Sequence, residues 1–316
     1  MGAQSVTLGA RVQSLWGGYG EIRRVELSGS NTEHAILKHV LPPAERELRG
    51  DEQKLRSHRR KLRSYAVEHA FYRHFAERTD EACRVPALLH AEADANGFLF
   101  LFEDLDEAGF PGRRTHSNDA EITACLHWLA AFHARFMGIV PEGLWKVGSY
   151  WHLATRPDEL AALGGHALQR AAARIDERLS SARFRTLVHG DAKLENFCFS
   201  KTGDAVAALD FQYVGGGVGV KDVAYFLGSC VSPRACASDV PRWLAVYFSA
   251  LRGELGRGQA ANLDPSALEA EWRELFPWAW VDFQRFLLGW APSYAQNASN
   301  DRYSEQLTAD VLALLR

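Results

Sequence analysis

The chain has 316 residues, 47% of them hydrophobic and 24% charged, which is ordinary usage for a globular protein large enough to hold two lobes. Lysine and arginine number 36 against 39 aspartate and glutamate, so the net charge is −3 and no basic excess points to nucleic acid. Five cysteines without a C-x-x-C pair, and no apolar run near roughly 18 residues, favour a reduced, cytoplasmic protein without structural zinc or a membrane span.

The first hundred residues combine short strand-like runs with one highly charged helical stretch. Residues 35–40 predict a strand, and a period of two places Lys38 between Ile36 and Val40 on one face. Such a lysine either extends its charge out of the core or points into a cleft. Upstream of it lies a glycine-rich stretch that is typical of a hairpin turn or of a loop over phosphate groups: Gly17, Gly18 and Gly20.

A second strand candidate, residues 98–102, consists of five consecutive apolar residues, which indicates burial on both faces. The polar stretch after Glu103, which contains glycine and proline and reaches residue 118, marks the expected lobe boundary. We therefore expect an N-terminal lobe at 1–103, with a sheet and one helix pair, and a mainly helical C-terminal lobe at 104–316.

Three oxygen-bearing side chains are brought together by a predicted hairpin. Residues 197–200 and 206–211 form two strand candidates around a turn, and Asn196 and Asp210 are equally far from its centre. We expect these two residues to lie opposite each other, with Asp191 arriving on the preceding loop. Such oxygens are the ligands that Mg²⁺ prefers, so the stretch predicts a magnesium site; the alternative is two turn formers and a strand end.

The order His-Gly-Asp at 189–191, then Asn, then Asp-Phe at 210–211 resembles the protein-kinase catalytic set, H-R-D-x-x-x-x-N followed by D-F-G. Gly190 in place of arginine and Gln212 in place of glycine are instead similar to the small-molecule kinases of the aminoglycoside phosphotransferase and choline kinase superfamily. Within it, the motifs HGD…N…DFQ…DVAYFL and SYAVEHAFY most resemble the ecdysteroid-kinase-like family. The resemblance, from about residue 15 to 230, implies an α+β bilobal fold like that of protein kinases. It would have a small antiparallel-sheet N-lobe and a larger, mainly helical C-lobe.

The same resemblance implies ATP and Mg²⁺ as cofactors and a hydroxyl group of a small molecule as the acceptor. Asp191 would be the catalytic base for that hydroxyl, while Asn196 and Asp210 would hold Mg²⁺ against the ATP phosphates. Lys38 would contact the α- and β-phosphates, and Glu68 would hold Lys38 in place. Such a transfer depends on positioning and charge neutralisation, which fits a site without a nucleophilic serine or cysteine.

Three further positions follow from the resemblance. Lys193 either neutralises the transferring γ-phosphate or is an ordinary exposed loop lysine. The glycines at 17, 18 and 20 would cover the phosphates. Backbone groups between Glu103 and Leu105 would bind adenine at the connection between the lobes.

A second glycine run, at 215–219, fails the dinucleotide-binding pattern G-x-G-x-x-G because Val220 stands at the position of the third glycine. We expect it to be a flexible segment. Asp222 after it is a candidate N-cap for a helix at 223–227, and the resemblance implies only a structural role for it near the active site.

Residues 231–316 carry five tryptophans, which indicates either a helical core or aromatic walls around an acceptor. Trp280 and Asp282 are the residues there that most suggest acceptor contact. No strong acidic well for a polycationic antibiotic is visible. The favoured interpretation is a kinase for a hydroxyl group of a small molecule, with a lipophilic alcohol as the first acceptor to test. A choline-type or antibiotic kinase, a pseudokinase binding module and a protein kinase are the alternatives. The oligomeric state does not follow from the sequence.

Overall fold

The computed structural model describes residues 3–48, 50–257, 263–292 and 302–316. Its N-terminal part contains a five-stranded antiparallel sheet in the order β1-β2-β3-β5-β4. The strands are β1 (Ser5–Ser14), β2 (Gly20–Ser28), β3 (His34–Val40), β4 (Leu88–Asp94) and β5 (Gly97–Glu103). The strands expected at 35–40 and 98–102 are therefore confirmed, and they pair with each other.

One long helix, α1 (Glu52–His74), packs against this sheet. Asp51 caps it by accepting a hydrogen bond from the Lys54 amide at 2.9 Å. The expected helix pair is wrong for the described residues up to 103, because short 3₁₀ turns accompany α1 in place of a second helix. Asp80 and Pro86 interrupt the chain after α1 and leave too few residues for another helix before β4.

The C-terminal part is mainly helical. Its described helices are α2 (Asp119–Arg135), α3 (Pro157–Ala161), α4 (Ala167–Ser180), α5 (Val220–Cys230), α6 (Cys236–Arg257), α7 (Pro265–Trp290) and α8 (Arg302–Leu314). Two short antiparallel pairs lie between α4 and α5: β6 (Thr186–Val188) with β9 (Gly215–Gly217), and β7 (Phe197–Phe199) with β8 (Val206–Ala208). None of the helices in the described ranges is long and apolar enough to cross a membrane.

Helix α2 lies at the centre of the helical core. Its start is fixed by a capping box, in which Asn118 accepts a hydrogen bond from the Glu121 amide and Glu121 accepts one from the Asn118 amide. Its apolar stripe recurs every three to four residues and is buried, including Cys125, Leu129 and Phe132. The helix thereby supports the short strands that carry the candidate site.

The hairpin formed by β7 and β8 differs by one residue from the predicted register. Phe197 pairs with Ala208, and the Leu209 amide donates to the Asn196 carbonyl oxygen at 2.8 Å. Asn196 therefore lies opposite Leu209, and the prediction that it faces Asp210 is wrong. Strand β8 ends before Asp210, which has a φ of 64° and so cannot continue an extended strand.

The glycine run at 215–219 is an ordered part of the core, so the expectation of a flexible segment is wrong. Its first three residues form β9 and are buried. The Gly148 amide donates to the Gly216 carbonyl oxygen at 2.9 Å, and a methyl group on Gly215 would overlap the carbonyl oxygen of Trp145. The glycines are needed because other backbone segments pass directly over them.

We predict that Gly215→Ala lowers the free energy of unfolding by roughly 1–3 kcal/mol, the usual cost of overpacking a core. Chemical denaturation of the variant and the unchanged protein measures this difference. Gly253→Ala in α6 is the matched control, since no heavy atom lies within 4 Å of the added methyl group. There alanine should stabilise the helix by about 0.5–1 kcal/mol. An unchanged stability of Gly215→Ala would show that β9 has room for a side chain.

Candidate active site

Lys38 and Glu68 form a buried ion pair between the sheet and α1. The Lys38 Nζ atom lies 2.8 and 2.7 Å from the two carboxylate oxygens of Glu68. Burial raises the pKa of Glu68 to about 7, while Lys38 acts to lower it and the charge of Asp210 to raise it. The structure thus brings these residues together as the resemblance implied, and it places Asp210 near them.

Asp191 and Asn196 meet on the loop between β6 and β7. The Asn196 amide nitrogen donates to the Asp191 carbonyl oxygen at 2.7 Å and to its carboxylate at 3.0 Å. The amide oxygen of Asn196 is therefore the atom with which it can hold a metal. Burial raises the pKa of Asp191 to about 7, against the pull of the Lys193 charge and with a further upward effect from Asp210.

Asp210 is the one non-glycine residue with a positive φ in the described ranges. Aspartate tolerates the left-handed region better than most residues, and such outliers are typical of functional positions. Its Oδ1 atom is buried and has no hydrogen-bond partner among the described residues. Because an unpaired buried carboxylate oxygen is costly, this geometry favours a cation at Asp210.

The oxygen atoms of Asp210 and Asn196 fit a divalent cation that shares its ligands with a substrate. Within the described residues, no group of three or more His, Cys, Asp or Glu side chains could hold a metal alone. Mg²⁺ usually takes one or two protein carboxylates and completes its shell with water and phosphate oxygens. One carboxylate and one amide oxygen are therefore an adequate protein contribution.

Asp222 fixes the start of the 189–196 loop. Its buried carboxylate accepts hydrogen bonds from the His189 amide at 2.6 Å, the Gly190 amide at 2.9 Å and His133 Nε2 at 3.0 Å. The prediction that Asp222 caps a helix is wrong, because α5 begins at Val220 and Asp222 lies within its first turn. Its side chain faces the loop rather than the helix end.

His189 connects the loop to the segment before Asp210. Its Nε2 atom donates to the Leu209 carbonyl oxygen at 2.8 Å, and its Nδ1 atom accepts from the Asp191 amide at 3.2 Å. Burial lowers the pKa of His189, which keeps the ring neutral with one donor and one acceptor nitrogen. One side chain thereby sets the distance between Asp191 and Asp210.

The glycine-rich stretch forms the tight turn between β1 and β2. Gly17 and Gly18 have φ values of 70° and 75°, which favour glycine, and Gly20 pairs with Val40 in the sheet. Lys61 of α1 reaches this turn, where its Nζ atom lies 4.3 Å from the centre of the Tyr19 ring. The turn therefore lies at the end of β3, the strand that carries Lys38.

Glu103 and Leu105 lie where the sheet ends. The Glu103 carboxylate pairs with Arg84 at 2.6 Å and accepts from the Ala87 amide at 2.6 Å. Leu105 is buried, and its carbonyl oxygen accepts from the Phe110 amide at 2.8 Å. The Glu103 amide also donates to the Ala87 carbonyl oxygen at 3.0 Å, so an adenine contact in this segment would use other backbone groups.

A cavity of about 310 Å³ opens beside the 189–196 loop. Lys193 and Glu195 of that loop, Tyr225 of α5 and Trp280 of α7 contribute to its wall. The Tyr225 hydroxyl is near enough to Asp191 to act to lower the pKa of that carboxyl group, so the cavity adjoins Asp191. Of the two residues expected to contact an acceptor, Trp280 therefore lies in a suitable place.

Asp282 does not face this cavity, and the expectation that it contacts an acceptor is wrong. Its buried carboxylate binds Arg285 at 2.9 Å, Lys221 at 3.5 Å and the Trp151 Nε1 atom at 3.0 Å. Burial alone would raise the pKa of Asp282, but the ion pairs with Arg285 and Lys221 hold it below its usual value. The residue is part of the core between α5 and α7.

Two residues at the site were missed by the sequence analysis. Tyr225 follows Asp222 by three residues, so the two share one face of α5; placing the helix start at 223 concealed this spacing. Gln212 accepts a hydrogen bond from Ser64 at 3.1 Å and also bonds to Glu68. It links the Asp210 segment to α1. The D-F-G motif has glycine at this position, so comparison with that motif could not indicate a side-chain contact.

A model of the phosphotransferase enzyme family, APH, matches residues 21–263 of the chain. The protein belongs to this family. The superfamily assignment from the sequence is thereby confirmed, at the level of the family as a whole. No curated protein matches the chain.

Several solved structures share the fold of this family member. The amicoumacin kinase hAmiN, solved with AMP-PNP, Ca²⁺ and Ami, is 15% identical, with 98% of this chain and 88% of that one covered at a TM-score of 0.54. A microcompartment-associated aminopropanol kinase is 17% identical, with 96% and 94% covered at a TM-score of 0.50. A Plasmodium vivax ethanolamine kinase is 13% identical, with 95% and 81% covered at a TM-score of 0.51. The bilobal α+β fold predicted from the sequence is confirmed.

In this phosphotransferase, we predict that Lys38→Met lowers the free energy of unfolding by roughly 3–5 kcal/mol, because Glu68 remains buried without its partner. Denaturant unfolding measures the loss. The double variant Lys38→Met/Glu68→Leu removes both charges and should recover most of the stability. A single variant as stable as the unchanged protein would mean that the pair is not effectively buried.

Proposed function

We propose that the protein transfers the γ-phosphate of Mg·ATP to a hydroxyl group of a small molecule that binds in the cavity beside Asp191. The observation that carries this proposal is the position of Asp191 between two kinds of neighbour. On one side it accepts a hydrogen bond from Asn196, a metal-ligand candidate, and on the other it lies beside Tyr225, which lines the cavity. The Asp191 carboxylate thus lies between the candidate metal site and the cavity proposed for the acceptor.

Asp191 is suited to receive the proton of the acceptor. In the reaction the acceptor O–H bond breaks, and its oxygen bonds to the γ-phosphorus. The bond between that phosphorus and the β,γ-bridging oxygen breaks, so ADP leaves and the proton passes to the carboxylate. A carboxyl group with a pKa near 7 is well matched to this task at neutral pH.

The nucleotide would bind between the sheet and the 189–196 loop. Lys38, held by Glu68, would contact the α- and β-phosphates under the turn at 17–20, and adenine would contact backbone groups at 103–105. Asn196 and Asp210 would hold Mg²⁺, which neutralises the charge of the transferring phosphate when bound. The complex of hAmiN with AMP-PNP and Ca²⁺ supports a nucleotide and a divalent cation for this fold.

For the acceptor we propose a lipophilic alcohol, in agreement with the resemblance to ecdysteroid-kinase-like proteins. Aromatic rings form much of the cavity wall, and Glu195 is the one carboxylate among its described lining residues. A choline-type amino alcohol is the second candidate, because ring faces also bind quaternary ammonium groups. The aminopropanol and ethanolamine kinases of similar fold support that alternative.

One observation favours an enzyme rather than a binding module, and another favours a location inside the cell. The unpaired Oδ1 atom of Asp210 is a cost that a pseudokinase without metal would have no need to keep. The five cysteines, which all lie in the described ranges, form no disulfide, as a reducing cytoplasm favours. We keep the lobe boundary at residue 103, where β5 ends.

Matched variants of the two carboxylates test the transfer site. Asp210→Asn should abolish most of the Mg²⁺-dependent gain in nucleotide affinity, because it removes a charged metal ligand. Asp191→Asn should keep that affinity and lose about 10²- to 10⁴-fold in turnover, the usual contribution of a positioned base. Calorimetry with AMP-PNP, with and without MgCl₂, gives the affinities, and ATP consumption with a screened alcohol gives the rates. The assignment fails if Asp210→Asn binds and turns over normally.

The acceptor is tested by a homologous series of alcohols at low and high ionic strength. Each buried CH₂ group contributes about 0.8 kcal/mol, so KM should fall as the acceptor becomes more apolar. Salt should have little effect, since it screens charge pairs rather than apolar contacts. An aminoglycoside is the contrasting substrate. If it alone is phosphorylated, with a KM that rises with salt, the lipophilic-alcohol proposal is wrong.

A further inference from the structure

One face of α5 runs along the 189–196 loop. Asp222, Tyr225 and Ser229 follow each other at three- and four-residue spacing, which aligns side chains on one side of a helix. Each of the three contacts a successive part of the loop. Asp222 fixes the backbone at its start, as described above, and the other two contact the part that carries the candidate base and metal ligand.

Tyr225 lies beside the Asp191 side chain, and its ring centre is 5.7 Å from that of Tyr150. Its hydroxyl acts to lower the pKa of Asp191, as a nearby donor does, and burial raises the pKa of Tyr225, so the hydroxyl keeps the proton that it can donate. The ring packs 4.9 Å from Trp151 and 4.6 Å from Phe283, measured between ring centres. The centres of those two rings are themselves 5.2 Å apart, so the three rings form one cluster that restricts the orientation of Tyr225.

The support for Tyr225 extends into the buried charge cluster around Asp282. The Trp151 Nε1 atom donates to Asp282 at 3.0 Å, and the Trp151 carbonyl oxygen accepts from Arg285 at 3.2 Å. Trp151 is therefore fixed by its backbone and its side chain. Asp282, which was expected to contact the acceptor, instead holds Trp151, and Trp151 packs on Tyr225.

Ser229 fixes the middle of the loop. Its Oγ atom accepts from the Leu194 amide at 3.1 Å and donates to the Phe226 carbonyl oxygen at 2.7 Å. Leu194 lies between Asp191 and Asn196, so this contact restrains the spacing between those two residues. The hydroxyl serves as both acceptor and donor, which alanine cannot do.

We propose that Tyr225 and Ser229 are positioning residues for phosphate transfer. Tyr225 directs the Asp191 carboxylate towards the acceptor hydroxyl, and Ser229 keeps Asp191 and Asn196 at the spacing that the transfer needs. This proposal rests on the proposed function, because it assigns the two residues a part in that reaction. Well-oriented reacting groups are worth large rate factors, so small displacements of the loop are costly.

Kinetics of conservative variants test the proposal with a screened acceptor. Tyr225→Phe keeps the packed ring and should lower kcat roughly tenfold while the KM for ATP stays unchanged. Ser229→Ala should also lower kcat, and Ser229→Thr, which keeps the hydroxyl at an exposed position, should restore it. Ser238→Ala in α6 is the control, since the Ser238 hydroxyl donates to the Ala235 carbonyl oxygen without contacting the loop. Unchanged kcat in Tyr225→Phe, or a Ser229→Thr variant no better than Ser229→Ala, would overturn the proposal.

A spectroscopic measurement separates this proposal from the proposed function. In protein labelled with ¹³Cζ-tyrosine, Tyr225→Phe identifies the Tyr225 resonance, and Asp191→Ala should shift it because the hydroxyl loses its acceptor. This readout needs neither an acceptor substrate nor turnover. A Tyr225 resonance that does not respond to Asp191→Ala would overturn the contact and the positioning role. A responsive resonance together with no ATP consumption in the acceptor screen would instead overturn the proposed function, and the kinetic role with it.

Discussion

The candidate site depends on one buried carboxylate, that of Asp222. Three N–H groups donate to its oxygen atoms. Two belong to the loop backbone at His189 and Gly190, and the third belongs to the His133 ring of α2. Hydrogen bonds to a charged acceptor are about twice as strong as neutral ones, and a charge without them would be very unfavourable in this interior. The carbonyl oxygen of His133 also accepts a bond from Thr186 at 2.7 Å. Helix α2, strand β6 and helix α5 are thus joined at the point where the loop begins.

A stack of aromatic rings relates this loop to the N-terminal sheet. Phe211, next to Asp210, lies parallel to Phe71 of α1, with ring centres 4.0 Å apart and an angle of 7° between the planes. The same ring lies 4.6 Å from His189. Such pairs contribute about 0.5–1.5 kcal/mol beyond the area they bury. Because Glu68 lies one turn before Phe71, the stack sets the ion pair of Lys38 relative to Asp210 and the loop.

The sequence predicted the parts of the site that depend on residue type and spacing along the chain. The strand bearing Lys38 and the convergence of Asp191 with Asn196 are of this kind, whereas the pairing of Lys38 with Glu68 came from the family resemblance. The register differs by one residue because the turn is centred between Thr202 and Gly203, where the Ser200 amide donates to the Ala205 carbonyl oxygen at 2.9 Å. The left-handed conformation of Asp210 accompanies the packing of Phe211 on Phe71, a contact that is not local in sequence.

The helical spacing of residues along α7 could have shown that Asp282 does not face the cavity. The cavity wall takes residues from α7 at helical spacing: Trp280, Phe283, Gln284 and Leu287. Asp282 lies off this face, with Arg285 one turn further on, and both are turned into the core. Its partner Lys221 is distant in sequence, so the buried pair was not visible in the local composition.

This division of α7 has a functional consequence. One face of the helix can change its rings, and with them the shape offered to an acceptor, without touching the charges on the other. The charged face holds Trp151, which packs on Tyr225 and so acts on the Asp191 carboxylate. Phe283 of the cavity face also packs on Tyr225, 4.6 Å away between ring centres, so both faces of α7 meet at that ring. Under the proposed function, a change at Phe283 would therefore alter the cavity and the support of Asp191 together.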